Sequence, residues 1–206
     1  MTTNHAPTQK FFKTPFTPAY WKLSLKEFKS LRVLAIASLL IALDVVVARF
    51  YIPVGVNLRI YFNYLITSLM SMICGPVVGI AAGFVRDTIG FFLDPSYGYF
   101  FGYTVTAMAS GLIYGLFLYR ARLSIVRIAL CKAVINVFIN ICMGSLWSAM
   151  IYQKGYLYYL GKSVVKNLLL LPAEILLLVL LYQVLLPVLV RMKLIPAQPT
   201  KRIPIF

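Results

Sequence analysis

The residues of this sequence that could recognise a ligand are ionisable and amide side chains embedded in strongly apolar stretches. Asp87 continues a row of glycines, Gly75, Gly79 and Gly83, at a spacing of four residues, which places all four on one helical face. An ionisable side chain in an apolar helix is expensive to bury and therefore indicates a functional site. Later apolar stretches contain further polar side chains: Lys132, Asn136, Asn140, Ser148, Lys162, Lys166, Asn167 and Glu174. We expect several of these groups to converge on a cavity inside a helical bundle.

Each of these side chains also has a structural interpretation that the sequence leaves open. Small residues at a spacing of four mainly allow two helices to approach closely, and Ala107, Gly111 and Gly115 repeat the pattern. Asn136 and Asn140 could join helices by hydrogen bonds. Lys162 could extend its ammonium group to the membrane interface. The other charged side chains could form structural ion pairs, namely Arg86 with Asp87, Asp44 with Arg49, or Glu174 with Lys132 or Arg86.

Aromatic residues are concentrated in the loops next to these polar side chains. They are Phe50, Tyr51, Phe91, Phe92, Tyr97, Tyr99, Phe100, Tyr103, Tyr152, Tyr156, Tyr158 and Tyr159. An aromatic belt at a membrane interface accounts for many of them. The others could stack on a flat ring, so that aromatic rings above buried Asp, Asn and Lys side chains suit a planar heterocycle with an anionic tail.

The composition is that of an integral membrane protein. Of 206 residues, 61% are hydrophobic and 12% are charged, and the mean hydropathy is +0.87, whereas soluble domains have about 25% charged residues. Apolar runs occur at 31–50, 58–75, 76–93, 101–119, 124–151 and 162–190. None of them alternates with a period of two, so helices are favoured over strands. The predicted fold is an all-α integral membrane protein with six transmembrane helices.

Charged residues divide the chain into three segments and predict its orientation. A basic segment at 1–30 precedes the membrane domain at 31–190, and a basic tail follows at 191–206. The predicted inner side carries six Lys or Arg between residues 10 and 32, three after the fourth run and four in the tail, against four in the opposite loops. By the positive-inside rule, both termini are cytoplasmic and the chain is a multi-pass protein of the cell membrane.

The N-terminal segment contains a predicted short helix on the inner membrane surface. Its apolar face consists of Trp21, Leu25 and Phe28, and its basic face of Lys22, Lys26 and Lys29. This distribution is typical of an interfacial helix whose lysines approach anionic headgroups of the lipid bilayer. Ser24 and Glu27 have the spacing of a capping box just ahead of the first apolar run.

Several function classes are excluded by the motifs of the sequence. It has no phosphate-binding loop, so the chain cannot hydrolyse nucleotide alone, and it has no metalloprotease or serine hydrolase motif. One histidine, His5, and three cysteines without paired spacing predict no metal site, and no cofactor is predicted. Membrane topology explains the net charge of +15, so no nucleic acid partner is predicted. No repeat of two halves is evident, so a concentrating transporter of this size needs an energising partner.

Five short motifs between residues 31 and 120 are recognisable in combination. They are IPVGVNLRI (52–60), GPVVG (75–79), RDTIGF (86–91), YFFGYT (99–104) and IYGLFLY (113–119). With them the chain resembles the folate-family substrate-binding (S) components of energy-coupling factor (ECF) transporters. The resemblance implies a bacterial six-helix bundle that binds a vitamin from outside. It also implies docking on a module of one membrane-embedded coupling subunit and two ATPase subunits, with no enzymatic activity in this chain.

The resemblance favours folate as the ligand. The pterin amino and ring N–H donors suit a carboxylate such as Asp87, and the anionic glutamate tail suits Arg59, Lys162 or Lys166. The predicted substrate-binding residues are Asn57, Arg59, Asp87, Phe91, Tyr99, Phe100, Tyr103, Asn140, Lys162, Lys166 and Asn167. Family members contact the coupling subunit through small residues on the first helix, often Ala-x-x-x-Ala. The candidates here are Ala35, Ser38 and Ala42, of which Ser38-x-x-x-Ala42 is the nearest match.

Other functions remain as alternatives at this point. The chain could be an S component for another vitamin, such as pantothenate, although the aromatic content and Asp87 favour a ring. A membrane-embedded enzyme acting on lipid is disfavoured because no histidine or metal constellation lies in the apolar runs. A pure scaffold is disfavoured by the buried charges.

Overall fold

A computed structural model describes residues 11–12, 14–55, 58–93, 98–152, 155–199 and 202–205 of the chain. Its helices are α1 (Pro18–Phe28), α2 (Leu31–Val47), α3 (Asn63–Cys74), α4 (Pro76–Leu93), α5 (Phe101–Leu118), α6 (Ile125–Val134), α7 (Gly144–Tyr152) and α8 (Tyr156–Arg191). Between α2 and α3 lies a two-stranded antiparallel sheet of β1 (Tyr51–Gly55) and β2 (Leu58–Tyr61). A π-helix, Ile135–Met143, joins α6 to α7.

The helix lengths confirm the all-α membrane class. Four helical segments are long and apolar enough to cross a bilayer, namely α4, α5, α8 and the continuous stretch Ile125–Tyr152. The pair α1 and α2, bent by 77° at its junction, counts as a fifth if it is taken as one span. The predicted second span is represented by α3, which has 12 residues and is therefore only about 18 Å long. By length and composition the described residues thus support four or five spans, and α3 is a shorter apolar helix packed among them.

The sheet was not predicted from the sequence. The run at 58–75 was expected to be one helix, but its first residues form β2, which pairs with β1 through Tyr51↔Tyr61 and Ile52↔Ile60. Pro53 and Gly55 disfavour a helix in β1, and tyrosine, isoleucine and valine favour an extended pair. The ladder has an irregularity between Pro53 and Gly55. A two-stranded hairpin this short falls below the length at which period-two alternation is recognisable.

Small residues of the two rows pack against each other where α4 and α5 make the most extensive helix–helix contact of the described residues. α4 and α5 run antiparallel, so that Gly79 faces Gly111 and Gly83 faces Ala107. A Cβ atom at Gly79 would lie 2.8 Å from the Gly111 carbonyl oxygen, and one at Gly83 would lie 2.6 Å from the Ala107 carbonyl oxygen. These distances are shorter than normal contacts, so only glycine allows this separation of the helices. The predicted packing role is confirmed for Gly79, Gly83, Ala107 and Gly111. The prediction that Gly75 lies on the same helical face is wrong, because Gly75 ends α3 with a positive φ of 88° and α4 begins only at Pro76.

The predicted capping box at Ser24 and Glu27 is wrong, because both residues lie inside α1 rather than ahead of α2. The residue that precedes α2 is Ser30, whose side chain makes no capping hydrogen bond. Buried Ser24 instead accepts a hydrogen bond from the Val77 backbone N–H (3.2 Å), which satisfies an otherwise unpaired donor in the first turn of α4. Glu27 pairs with Arg120 Nη2 at 2.9 Å.

Both ends of the described chain lie against the loop between α5 and α6. The Phe12 backbone N–H donates to the Arg120 carbonyl (3.1 Å), and the Ile125 N–H donates to the Pro204 carbonyl (2.9 Å). The Gln198 side chain accepts from the Leu123 N–H at 3.2 Å. The N- and C-terminal segments are therefore at the same end of the bundle. The polar residues near the C-terminus of α4 and the N-terminus of α8 lie toward the other end.

Candidate substrate-binding site

Asp87 is held by a hydroxyl pair from the segment that opens α5. The fully buried Thr104 donates to Asp87 Oδ2 through its Oγ1, at 2.6 Å. The Tyr99 hydroxyl lies 2.6 Å from the same Oγ1. Because the single Thr104 proton is used on Asp87, Tyr99 must be the donor to Thr104. The carboxylate is half-buried at the end of α4 that faces away from the chain termini.

Arg86, which precedes Asp87, is directed to other helices. Its Nη1 lies 3.3 Å from Asp44 Oδ2 on α2 and donates to Thr67 Oγ1 on α3 at 2.6 Å. The Thr67 hydroxyl in turn donates to Asp44 Oδ2 at 2.7 Å. The ion pair of Arg86 is therefore with fully buried Asp44, which supports neither the Arg86–Asp87 pair nor the Asp44–Arg49 pair that the sequence left open. This arrangement ties α2, α3 and α4 together beside Asp87.

Aromatic rings surround the Asp87 group. Phe91 and Tyr99 meet edge to face with ring centroids 5.2 Å apart. Phe100 contacts both Tyr103 (5.6 Å) and Trp147 of α7 (5.5 Å) in the same manner. The four predicted aromatic residues therefore form two contacting pairs, which are joined through the adjacent residues Tyr99 and Phe100. Trp147 adds a fifth ring that the sequence analysis did not single out.

A second polar group lies between the π-helix and α8. Lys132 Nζ is 3.1 Å from Glu174 Oε1, so the ion pair left open from the sequence is the one with Lys132. Asn136 Nδ2 donates to Glu174 Oε2 (2.8 Å), and Asn140 Nδ2 donates to Asn136 Oδ1 (2.8 Å). The Ser163 hydroxyl donates to the Asn140 carbonyl at 3.0 Å. Asn167 also joins this group, since its Nδ2 donates to the Ser163 carbonyl at 2.8 Å and contacts the Ser163 hydroxyl at 3.1 Å.

The predicted lysines lie on successive turns of α8. Lys162 is exposed, with Nζ donating to the Tyr158 hydroxyl at 2.6 Å and lying 4.4 Å from the centroid of that ring. Lys166 is half-buried and is followed by buried Asn167. Lys162 thus has the geometry expected of a side chain at the mouth of the bundle, whereas Lys166 lies one turn deeper.

The structure brings the predicted residues together in two groups. Asp87, Phe91 and Tyr99 form the first group, and Asn140 and Asn167 belong to the second. Phe100 and Trp147 connect the first group to α7, and Trp147 Nε1 donates to Thr106 of α5 at 2.9 Å. Within the described part of the chain, no direct hydrogen bond joins Asp87 to the asparagines. Asn57 lies outside the described residues, and of Arg59 only the backbone position in β2 is described.

Several residues of these groups were missed in the sequence analysis. Thr67, Thr104 and Ser163 are neutral hydroxyls, and a search for ionisable or amide groups in apolar runs does not select them. Tyr64 was missed for the same reason, and its ring lies 4.0 Å from Lys132 Nζ. Of these residues, only Thr104 could have been selected from the sequence, because it is the last residue of the YFFGYT motif. No cluster of three or more His, Cys, Asp or Glu side chains that could hold a metal occurs among the residues the structure describes.

The predicted docking residues share an exposed surface of α2. Ala35, Ser38 and Ala42 are all exposed. Ser38 and Ala42 line a shallow apolar groove of about 410 Å³ between α2 and α4. The rest of its lining is Ile41, Val45, Val85 and Ile89. The small side chains leave room there for a close approach of another helix.

Comparison with known proteins places the chain in a family. Residues 32–182 match the family described as "ECF transporter, substrate-specific component". The chain is 27% identical over 144 residues to the folate transporter FolT of Clostridium novyi (70% of this chain, 84% of that protein). It is 28% identical over 169 residues to the folate transporter FolT of Leuconostoc mesenteroides (79% and 87%). A crystal structure of FolT bound with folic acid matches with a TM-score of 0.67 and 30% identity, over 72% of this chain and 91% of that one. The chain therefore belongs to the family of substrate-specific components of ECF transporters.

Proposed function

We propose that this chain captures folate outside the cell and delivers it to an ECF transporter for uptake. The observation that carries the proposal is the likeness, over most of both chains, to FolT bound with folic acid. As a substrate-specific component, the chain is a transport subunit and not an enzyme. Two further features of the site, its carboxylate and its aromatic rings, support a flat ligand with N–H donors.

Asp87 is the proposed partner of the pterin ring. Thr104 binds one of its oxygens, Oδ2, so that Oδ1 remains for a ligand. Neighbouring N–H groups on a pterin edge would form charge-assisted hydrogen bonds with the carboxylate, which are stronger than neutral ones. Phe91 and Tyr99, which contact each other, and Phe100 and Tyr103, which form a second contacting pair, are the proposed rings that stack on the pterin. Because aromatic stacking contributes only in close contact, we expect the rings to rearrange around the ligand.

The anionic tail of folate is assigned to the basic residues of the second group and the mouth. Lys162 is exposed and Lys166 is half-buried on successive turns of α8, and Lys166 directly precedes buried Asn167. Lys166 and Lys162, together with Arg59 of the IPVGVNLRI motif, are the proposed partners of the tail carboxylates, while Asp87 is the proposed partner of the pterin. Asn140 and Asn167 supply amide groups between these two ends of the ligand.

The orientation follows from the positions of the chain ends and the charges. Phe12 and Pro204, near the two ends of the described residues, lie at the end of the bundle that contains the basic loop between α5 and α6. The positive-inside rule assigns this end to the cytoplasm, so the Asp87 site opens to the outside. The chain would therefore be a multi-pass protein of a bacterial cell membrane with its site accessible to external vitamin.

An energising module is the proposed partner of the subunit. The sequence contains no phosphate-binding loop, so ATP hydrolysis must occur in partner ATPase subunits. The groove next to Ser38 and Ala42 is the proposed contact for a membrane-embedded coupling subunit. Exposed Ala35 extends the same surface toward the N-terminus of α2.

Titration of the purified full-length protein tests the proposed function. We expect calorimetric heat with folate in the absence of nucleotide, and no heat with pantothenate. Reduced folates would extend the test to the redox form of the pterin. Heat with pantothenate, and none with folate or reduced folates, would assign the chain to another vitamin.

A further inference from the structure

A continuous chain of hydrogen bonds runs from a buried ion pair to Asn140 at the proposed site. Lys132 Nζ lies 3.1 Å from Glu174 Oε1. Glu174 Oε2 accepts from Asn136 Nδ2 (2.8 Å), and Asn136 Oδ1 accepts from Asn140 Nδ2 (2.8 Å). Lys132 and Asn136 are buried, whereas Asn140 is only partly buried. These hydrogen bonds therefore connect the interior of the bundle to a partly buried side chain.

The chemistry of the groups allows only one donor-to-acceptor direction in this series of hydrogen bonds. Glu174 forms an ion pair with Lys132 at 3.1 Å, and a carboxylate can only accept hydrogen bonds. Asn136 must therefore present its NH₂ group to Glu174, which leaves its carbonyl oxygen to face Asn140. Asn140 must in turn use its NH₂ group on Asn136. The orientation of both amides thus follows from the charge of Glu174 and not from the assignment of oxygen and nitrogen atoms.

The backbone around Asn140 is also restrained. Asn136 and Asn140 both lie in the π-helix, whose wide turns are frequent at functional sites. The Ser163 hydroxyl of α8 donates to the Asn140 backbone carbonyl at 3.0 Å. Ser163 therefore restrains the backbone of Asn140, and Asn136 restrains the NH₂ group of its side chain. Among the described residues the Oδ1 of Asn140 makes no hydrogen bond, so this oxygen and the second N–H of the amide remain for a ligand.

We propose that Glu174 and Asn136 are positioning residues that orient Asn140 so that its Oδ1 accepts a hydrogen bond from an N–H group of the ligand. This inference rests on the proposed function, because it takes Asn140 to contact folate. It predicts that the site selects a ligand with an N–H donor at this position and rejects one with an acceptor there. A carbonyl or ring nitrogen facing Asn140 Oδ1 would leave two acceptors in contact without a proton.

Two variants test the donor-to-acceptor direction of the hydrogen bonds between Glu174, Asn136 and Asn140. In Glu174→Gln, Lys132 draws the amide oxygen of Gln to itself, so that the amide NH₂ faces Asn136. Asn136 then turns over, giving up its 3.4 Å hydrogen bond from Nδ2 to the Asn167 carbonyl, and Asn140 follows and presents its NH₂ group to the ligand. We expect the folate affinity to fall on the order of 10-fold. Adding Asn136→Asp supplies a carboxylate that accepts from both neighbours and restores the original direction, so the double variant should regain most of the affinity.

The control for this rescue is the double variant Asn136→Leu with Glu174→Gln. It removes the series of hydrogen bonds, so its folate affinity should not recover. Calorimetry gives the folate affinity of each variant, and melting temperatures show whether it is folded. A purely structural role of Glu174 would not produce recovery of affinity in the Asn136→Asp double variant, because the direct Lys132–Glu174 ion pair stays broken. Unchanged affinity in Glu174→Gln, or no recovery in the double variant, would overturn the proposal.

A measurement on the ligand-free protein separates this proposal from the proposed function. NMR of asparagine-labelled protein in nanodiscs should show slow hydrogen exchange of the Asn140 side-chain NH₂ in the wild type. Exchange should become fast in Glu174→Gln and slow again with Asn136→Asp. In the wild type, folate should then shift the Asn140 side-chain carbonyl carbon. Fast exchange in the wild type would overturn the proposed positioning of Asn140. Slow exchange without any folate binding would overturn only the proposed ligand.

Discussion

Thr104 and Asp87 lie 2.6 Å apart across the contact between α5 and α4, with the threonine hydroxyl donating to Oδ2 of the carboxylate. This hydrogen bond orients an acid that the sequence alone places only on a helical face. It also links Asp87 to Tyr99, whose hydroxyl lies 2.6 Å from the same threonine oxygen. These hydrogen bonds therefore connect the carboxylate to one aromatic ring of the proposed site.

Replacing Asp87 by Asn should weaken folate binding. The change turns one acceptor into a donor, and an unpaired buried polar group costs about 1–3 kcal/mol, so the affinity should fall on the order of 10- to 100-fold. Thr88→Ala is the matched control, because its hydroxyl donates to the Phe84 carbonyl of the same helix at 2.9 Å. Calorimetry and the melting temperature of both variants check the assignment. A lower melting temperature with unchanged affinity would show that Asp87 is only structural.

Removing one partner of the Arg86–Asp44 pair should destabilise the fold. In Arg86→Gln, the fully buried Asp44 carboxylate loses the partner that lies at 3.3 Å, which costs about 3–5 kcal/mol when a buried pair is broken. The double variant Asp44→Asn with Arg86→Gln removes both charges and should recover much of the loss. Denaturation of the wild type, both single variants and the double variant in detergent measures the coupling energy. A loss in the double variant equal to the sum of the two single losses would show that the pair contributes no coupling energy.

Adding one methyl group at the α4–α5 contact should be costly. In Gly83→Ala the new Cβ would meet the Ala107 carbonyl oxygen at 2.6 Å, and overpacking of this kind costs about 1–3 kcal/mol. Gly90→Ala on the same helix is the control, since a Cβ there meets no atom within 4 Å. We expect Gly90→Ala to be neutral or slightly stabilising, because alanine favours the helix. Similar melting temperatures for both variants would contradict the close-packing role of Gly83.

The Ser24 hydroxyl should contribute more stability than the Ser30 hydroxyl, although Ser30 directly precedes a helix. Ser24 accepts from the Val77 N–H at 3.2 Å, whereas Ser30 makes no side-chain cap. Loss of a helix-capping hydrogen bond costs about 1 kcal/mol, so Ser24→Ala should lower the melting temperature and Ser30→Ala should have little effect. The reverse order would indicate that Ser30 caps α2 in solution.

Bulky residues in the α2–α4 groove should block transport without blocking binding. Ser38→Trp or Ala42→Trp would fill the groove that both residues line, and a partner helix could then no longer approach closely. Leu176→Trp is the control, because Leu176 is 59% exposed on α8 and lies outside this groove. Folate uptake by cells and folate binding by the purified subunit are the two measurements. Normal uptake by both groove variants would place the docking surface elsewhere.

Local spacing and the thickness of the bilayer were enough to predict much of this protein. The predicted run at 76–93 has the same bounds as α4, and the run at 101–119 ends one residue beyond α5. The close contact of Gly79 and Gly83 with α5 also followed from a spacing of four residues. These features depend on the periodicity of a helix and on apolar length, both of which can be read from neighbouring residues.

The partner of each buried polar group depended on the tertiary structure. Arg86 and Asp87 are adjacent in sequence, but successive helical side chains diverge by about 100°, and Arg86 therefore meets Asp44 of α2. Ser24 has a capping-box spacing, yet it contacts Val77 because α1 extends through Ser24 and packs on α4. The orientation of the Asn140 amide requires a carboxylate 34 residues away, which reaches it through Asn136. The sequence alone determined which ionisable and amide side chains lie in apolar runs, because hydropathy is a local property, whereas the buried hydroxyls such as Thr104 and the partner of each polar group were decided only when the helices packed.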